Sequence, residues 1–213
     1  MIVSHRHRFV FLKTRKTAGT SLELALARVC GPDDTITSLN PKDEVERRAA
    51  GIPGPQNDES PPLKRRAFNH MPARMARDAI GAEVFDAYYR FAVERNPWDA
   101  VVSAYFWSFR DREAPNFAEW VQGDQVDNLA KNAGIYRLQG EIAVHRLLRY
   151  ESLAADVAEV WAHLALPGTP DLPHAKGGAR PRDADYRSMY DDASRERVAA
   201  AFERTIADLG YEF

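Results

Sequence analysis

The sequence has a single cysteine, little net charge and no long hydrophobic run. One cysteine, Cys30, excludes an intrachain disulfide, and nothing else requires an oxidising compartment. A formal net charge of -2 gives no reason to expect bulk attraction to nucleic acid or to a membrane surface. No stretch approaches the ~18 apolar residues of a membrane span, and the first residues do not resemble a signal peptide. We therefore expect a soluble, cytoplasmic protein that has no nucleic-acid partner.

The chain has room for one sizeable hydrophobic core and contains one irregular stretch. Its 213 residues are 45% hydrophobic and 28% charged, which fits a single domain over residues 1–213. Residues 40–66 carry five prolines and many charges, and they are too numerous for a simple connection. We expect this stretch to be a loop or a mobile insert, which could shape a binding site.

Apolar runs alternate with helix patterns along the chain. Buried strands are predicted over residues 9–12, over 91–93 and within 142–150. Helices are predicted over 20–29, from 72 onward, over 97–109, over 117–121, after 152 and over 193–209. Because the strand candidates are apolar runs rather than alternating patterns, they favour a parallel sheet that helices flank on both faces. Ligands of such α/β folds bind at the carboxyl ends of the strands.

Residues 10–23, VFLKTRKTAGTSLE, join a predicted strand to a predicted helix through a turn of small and basic residues. The N–H groups of a helix's first turn point outward, and the helix dipole adds partial positive charge there. Gly19 lets the backbone approach a ligand closely. Hydroxyl groups and cations complete the set: Thr17, Thr20 and Ser21, with Lys13, Arg15 and Lys16. This pattern predicts an anion-binding loop.

The loop departs from the ATP- and GTP-binding P-loop, whose pattern is G-x-x-x-x-G-K-[ST]. No glycine opens the segment, Thr20 stands where a lysine should follow Gly19, and the lysine lies upstream at Lys16. No apolar run ends in an aspartate that would hold magnesium. These departures favour a phosphate-binding loop that works without a metal. A nucleotide kinase or related phosphotransferase is the alternative, and a nucleotide-binding module without catalysis is another.

The segment KTRKTAGTSLE resembles the 5′-phosphosulfate loop of sulfotransferases that use 3′-phosphoadenosine 5′-phosphosulfate (PAPS), in particular the carbohydrate-type family 2. The resemblance implies a P-loop-NTPase-like α/β fold and transfer of a sulfuryl group from PAPS to a hydroxyl, with PAP as by-product. A sulfuryl group carries less negative charge than a phosphoryl group, so a lysine and backbone donors can replace magnesium. Lys16 would contact the bridging and leaving oxygens. The remaining donor-binding candidates are Arg15, Thr17, Ala18, Gly19, Thr20 and Ser21.

A second segment, VERNPWDAVVSAY, resembles the family's 3′-phosphate motif, in which an arginine ends a strand and a serine follows in the next helix. Arg95 and Ser103 stand at those positions, and a guanidinium fork suits a phosphate. The alternative for Arg95 is a structural salt bridge. A late basic loop, KGGARPRDADYR, resembles the segment that closes over the nucleotide in related sulfotransferases, with Lys176 and Gly177 as candidates. The alternative there is a solvated loop.

Transfer to a hydroxyl needs a general base, and histidine suits that role near neutral pH. Among six histidines we favour His70, which stands just before a predicted helix. Several carbohydrate sulfotransferases place a histidine or glutamate base in this part of the chain. Glu23, one turn inside the helix of the anion-binding loop, is the alternative base.

The acceptor is less defined by the sequence. Trp107, Trp120 and Tyr136 could stack on a sugar, although most aromatic residues belong to a core. The resemblance favours a saccharide, and another hydroxylated small metabolite is the alternative. Oligomeric state is open.

Overall fold

The computed structural model describes residues 1–59, 61–172 and 185–213. Within these ranges the chain forms two compact units. The first unit contains residues 1–94 and 134–172, and the second contains residues 95–133 and 185–213. In the ranges described, no helix has the length and apolar character needed to cross a membrane.

The first unit is built on a five-stranded mixed sheet with the strand order β3-β1-β2-β4-β7. Strands β2, β4 and β7 are parallel to one another, whereas β1 runs antiparallel to both β2 and β3. A separate two-stranded sheet pairs β5 with β6. The prediction of a wholly parallel sheet is therefore wrong at β1 and β3. The strands are β1 (Ile2–Ser4), β2 (Phe9–Leu12), β3 (Thr35–Ile36), β4 (Tyr89–Glu94), β5 (Arg137–Leu138), β6 (Glu141–Ile142) and β7 (Arg146–Arg149).

Helices account for most of the remaining structure. Five of them lie in the first unit: α1 (Gly19–Ala27), α2 (Pro41–Ala49), α3 (Ala73–Ile80), α4 (Ala82–Ala87) and α9 (Leu153–His163). A short helix, α8 (Ala133–Tyr136), lies at the unit boundary. The second unit contains α5 (Pro97–Ser108), α6 (Phe117–Val121), α7 (Gln125–Ala130), α10 (Asp192–Ala201) and α11 (Glu203–Leu209). The helix predicted over 193–209 is thus two helices that meet at Phe202.

The core of the first unit fixes strand β2 between its neighbours. Phe9 and Phe11 have no exposed surface, and the ring of Phe11 stacks on that of Phe91 with centroids 5.4 Å apart. Leu22 and Leu26 of α1 belong to the same core cluster. Buried aromatic pairs of this kind add about 0.5–1.5 kcal/mol beyond their area. The strand end and the helix start that flank the anion-binding loop are therefore both held by the core.

Residues 40–66 contain helix α2 and are not a loop throughout. Asn40 caps the helix by accepting a hydrogen bond from Asp43 N at 3.0 Å, and Pro41 occupies the first helical position. Arg47 and Ile52 are buried. The prediction of a loop is wrong over residues 41–49, because a high charge density obscured the signal of the capping asparagine followed by proline.

The second unit packs α5, α6, α7 and α10 around a core of their apolar residues. Helix α5 begins as predicted, since Asn96 Oδ1 accepts from Trp98 N at 3.1 Å and Pro97 is the first helical residue. Asn96 also donates from its amide to Glu212 O at 2.8 Å. The N-terminus of α5 is thereby fixed to the end of the chain.

Candidate active site

The anion-binding loop, residues 13–18, lies at the carboxyl end of β2, on the edge where the parallel strands β4 and β7 also end. Lys16 and Ala18 adopt left-handed conformations, with φ of 65° and 57°. A non-glycine residue in this region costs about 1–2 kcal/mol. Backbone N–H groups in turns that alternate between right- and left-handed conformations form concavities that bind anions. The strain at two residues of one short loop points to such a binding function.

Helix α1 begins directly after Ala18, whose side chain makes no capping hydrogen bond. The helix is buried along its whole length, and Thr20 and Ser21 lie in its first turn. Arg15 is exposed and Lys16 is half-buried. The positive end of the α1 dipole therefore adds to the charge of the loop cations where an anion would bind.

Two threonines hold the loop from inside. Thr14 Oγ1 donates to Val93 O in β4, and Thr17 Oγ1 lies 2.7 Å from Thr14 Oγ1. Both side chains are buried. Because the proton of Thr14 goes to Val93, the Thr17 hydroxyl donates to Thr14. The Thr17 hydroxyl is thus engaged within the loop, and its backbone N–H is the group that stays directed to a ligand in the prediction.

Gly19 is needed because the Lys13 side chain crosses it. A Cβ at Gly19 would lie 2.8 Å from Lys13 Cγ and 3.3 Å from Thr14 O. Close approach of a ligand is the reason that the sequence suggests for this glycine, and the Lys13 side chain is a second reason, internal to the fold. The stem of Lys13 passes over the first residue of α1 toward the interior of the unit.

Gly19→Ala is expected to destabilise the protein, because Lys13 Cγ sits near the backbone end of its side chain and cannot move alone. Overpacking of this kind costs about 1–3 kcal/mol, which lowers the melting temperature by ~2–4 °C per kcal/mol at this size. The matched control is Gly134→Ala in α8, where an added Cβ would meet nothing within 4 Å. There the better helix propensity of alanine should leave stability unchanged or raise it. Equal melting temperatures of the two variants would contradict the steric argument.

Beneath the loop, Glu23 is the centre of a buried ion cluster. Its carboxylate lies 2.8 Å from Lys13 Nζ, 3.6 Å from Arg47 and 3.4 Å from the backbone nitrogen of Met1. Burial acts to raise the pKa of Glu23, but the terminal amine, Lys13 and Arg47 outweigh it and the pKa is lowered. Glu23 has no exposed surface. A general base must contact the acceptor, so this environment does not suit Glu23 for that role.

His70 lies against the same loop. Its Nδ1 is 3.0 Å from Lys13 O, and because a carbonyl only accepts, Nδ1 carries the proton and Nε2 presents the lone pair. Burial lowers the pKa of His70 to about 3, with further lowering by the cations of Lys13 and Arg15, although the hydrogen bond to Lys13 opposes the shift. His70 is itself left-handed, with φ of 60°. The result is a neutral imidazole in the tautomer that a base acting through Nε2 requires.

In the second unit, Arg95 precedes α5 and Ser103 lies within it. Arg95 donates from Nε to Asp99 Oδ2 at 2.7 Å, and its second nitrogen is also 2.7 Å from that oxygen. Asp99 and Ser103 are four residues apart in α5 and share one of its faces, and Arg95, which precedes the helix, reaches that face through its contact with Asp99. Asp99 was not predicted from the sequence, although its spacing of four residues from Arg95 was the available signal. Arg95 therefore has the structural salt bridge that was its alternative role. The candidates Lys176 and Gly177 lie outside the described residues.

The profile of the sulfotransferase family matches residues 1–207, which includes both units. The chain belongs to the sulfotransferase family. It is also 35% identical over 107 residues to an uncharacterized protein of Archaeoglobus fulgidus, which covers 48% of this chain and 88% of that protein. The resemblance to the sulfotransferase family is thus confirmed, and with it sulfuryl transfer as the general activity.

Fewer aromatic side chains are accessible for stacking on an acceptor sugar of this sulfotransferase than its sequence predicts. Tyr136 has no exposed surface, so its prediction as a stacking platform is wrong. Trp120 packs on Tyr105 with ring centroids 5.4 Å apart. The half-buried Trp107 carries the guanidinium of Arg110 at 4.0 Å from its ring centre. Across residues 1–59, 61–172 and 185–213, no three His, Cys, Asp or Glu side chains form a group that could hold a metal ion.

Proposed function

We propose that this sulfotransferase takes its sulfuryl group from PAPS and transfers it to a hydroxyl of an acceptor, with PAP as the by-product. The observation that carries the proposal lies within the first unit. An anion-binding loop with two left-handed residues precedes α1, and the backbone carbonyl of Lys13 in that loop accepts a hydrogen bond from His70, a neutral histidine whose orientation is thereby fixed. A nucleotide-binding module without catalysis would have no need of the second feature.

The donor set of the loop fits a phosphosulfate. Backbone N–H groups of residues 17–21 supply fixed donors for the 5′-phosphate, and Lys16 supplies a cation next to them. Arg15, which is exposed, is a further cation for the donor. We assign the 3′-phosphate to Arg95 and Ser103 on the strength of their motif. The P-loop-like fold, and a role for Lys176 and Gly177 over the nucleotide, belong to the same proposal.

In the reaction we propose, His70 Nε2 accepts the proton of the acceptor hydroxyl. The acceptor oxygen forms a bond to sulfur, and the bond from sulfur to the bridging oxygen of the 5′-phosphate breaks. The electron pair of that bond stays on the phosphate oxygen, where the Lys16 ammonium stabilises the developing charge. Neither step uses a metal ion.

A thermal-shift comparison of PAP with ADP, each with and without magnesium, tests the donor. A ligand at ~100 times its Kd stabilises by about 2.7 kcal/mol, which at this size corresponds to a rise of roughly 5–10 °C in the melting temperature. We expect PAP to give this rise without magnesium and ADP to give little. A preference for ADP with magnesium would instead support a nucleotide kinase and contradict the proposal.

The acceptor we propose is a saccharide or a related hydroxylated metabolite, which the family resemblance supports. Transfer of label from radiolabelled PAPS is to be screened against cell-envelope glycans and small alcohols. Label on a glycan supports the saccharide, and label on a small alcohol corrects the acceptor class. PAP binding without transfer to any acceptor would favour the non-catalytic module.

A further inference from the structure

We propose that Lys13 is a positioning residue, whose buried ion pair with Glu23 holds in place the backbone carbonyl that orients His70. The proposal deepens the function above and rests on His70 as the base. The sequence analysis left Lys13 as one of three loop cations without an assigned contact.

Lys13 is connected to three parts of the first unit at once. Its Nζ lies 2.8 Å from Glu23 Oε2, its stem lies over Gly19, and its carbonyl oxygen lies 3.0 Å from His70 Nδ1. Only 3% of the side chain is exposed. Arg15 and Lys16, the other loop cations, have considerably more exposed surface. Of the three cations, Lys13 is therefore the one directed inward.

The anchor of this side chain is rigid. Glu23 lies in the middle of α1, all of whose residues are buried. A second cation, Arg47 of α2, lies 3.6 Å from Glu23 on its other carboxylate oxygen, and Arg47 also pairs with Glu44 at 3.3 Å. A lysine stem is flexible, with four carbons, but a buried pair cannot separate without leaving an uncompensated charge, which costs 3–5 kcal/mol. The pair therefore fixes where the Lys13 residue sits.

Backbone strain at the site explains why the loop and His70 need contacts that hold them in place. Three of the seven left-handed non-glycine residues in the described ranges are Lys16, Ala18 and His70. Strained conformations persist only where surrounding contacts hold them. The Lys13 carbonyl accepts a hydrogen bond from His70, and the Lys13 stem lies close to Gly19, the residue that follows Ala18. The same residue thus supports the loop and the histidine.

The test uses the double variant Lys13→Met with Glu23→Gln, which removes both charges and leaves Arg47 paired with Glu44. A long-range ¹H–¹⁵N spectrum of the histidine rings reports the tautomer of His70 without any substrate. We expect the Nδ1–H tautomer to lose its dominance, kcat to fall at least about 10-fold, and PAP affinity to stay within about 3-fold. The matched control replaces an exposed ion pair, Arg146→Met with Glu159→Gln, where the two side chains are 2.7 Å apart and little effect is expected.

An unchanged His70 tautomer in the double variant would overturn the proposal, whether or not kcat falls. If the double variant does not fold, Lys13→Met alone removes the pair and leaves Glu23 next to Arg47 and the Met1 nitrogen, and it is judged by the same tautomer criterion. Failure of the underlying function has a different signature. In that case a His70 variant would turn over like the wild type, while the tautomer would still report whether Lys13 and Glu23 position the ring.

Discussion

Lys16→Met is expected to lower kcat by about 10²–10³, the usual cost of removing one preorganised donor from a developing oxyanion. The lysine follows β2 in a loop that the core of the first unit holds, and its side chain is half-buried. In the proposed reaction its ammonium stabilises the charge that appears on the 5′-phosphate when the bond to sulfur breaks. Methionine keeps the length of the side chain and removes the charge. Rates of label transfer from PAPS measure the effect, and circular dichroism checks the fold.

Lys131→Met provides the control, because Lys131 is an exposed lysine at the end of α7, outside the anion-binding loop and outside residues 40–66. Its kcat should equal that of the wild type. Lys16→Arg should recover part of the rate, since the charge returns with a different geometry. Wild-type turnover by Lys16→Met would contradict a role of Lys16 in the reaction.

The sequence predicted the parallel part of the sheet and missed its antiparallel edge. Strands β2 and β4 are apolar runs that lead into helices, which is the pattern of parallel strands. Strand β1 has only three residues, Ile2–Ser4, and β3 only two. Segments this short carry no periodicity. Their pairing depends on long-range contacts, such as the hydrogen bond from Thr37 N to Met1 O at 3.1 Å, which no local pattern reports.

The candidate site was predictable where one short segment carries the chemistry. The loop and the helix after it could be read from residues 10–23, because the strand, the turn and the helix are consecutive there. The contacts between residues that are distant in the sequence could not be predicted. The pairing of Glu23 with Arg47 joins two helices that are separated by strand β3, and the contact of His70 with Lys13 O joins residues 57 positions apart. Because of these contacts, Lys13 is a buried residue that holds the loop, although its sequence pattern resembles that of an exposed cation.

His70→Asn is expected to lower kcat by about 10²–10⁴, the usual contribution of a general base, and to keep PAP affinity. Asparagine tolerates the left-handed conformation, and its side-chain amide can still donate to Lys13 O from near the Nδ1 position. It has nothing in place of Nε2. The control is His5→Asn, which changes an exposed histidine of the same unit and should leave kcat unaltered. Wild-type turnover by His70→Asn would show that another group takes the proton.

The lowered pKa of His70 adds a test that does not depend on the acceptor. Burial first, and then the nearby cations, hold the pKa at about 3 instead of 6.5 in the folded protein. The unfolded chain therefore binds this proton first, and the free energy of unfolding falls as the pH drops from 6.5 toward 3. Urea titrations of the wild type should show this loss, and His70→Asn should show less of it. A bound anion near the ring favours its charged form, so PAP should raise the midpoint of the His70 ring in an NMR titration. A midpoint near 6.5 without ligand would contradict the burial of the His70 ring among cations.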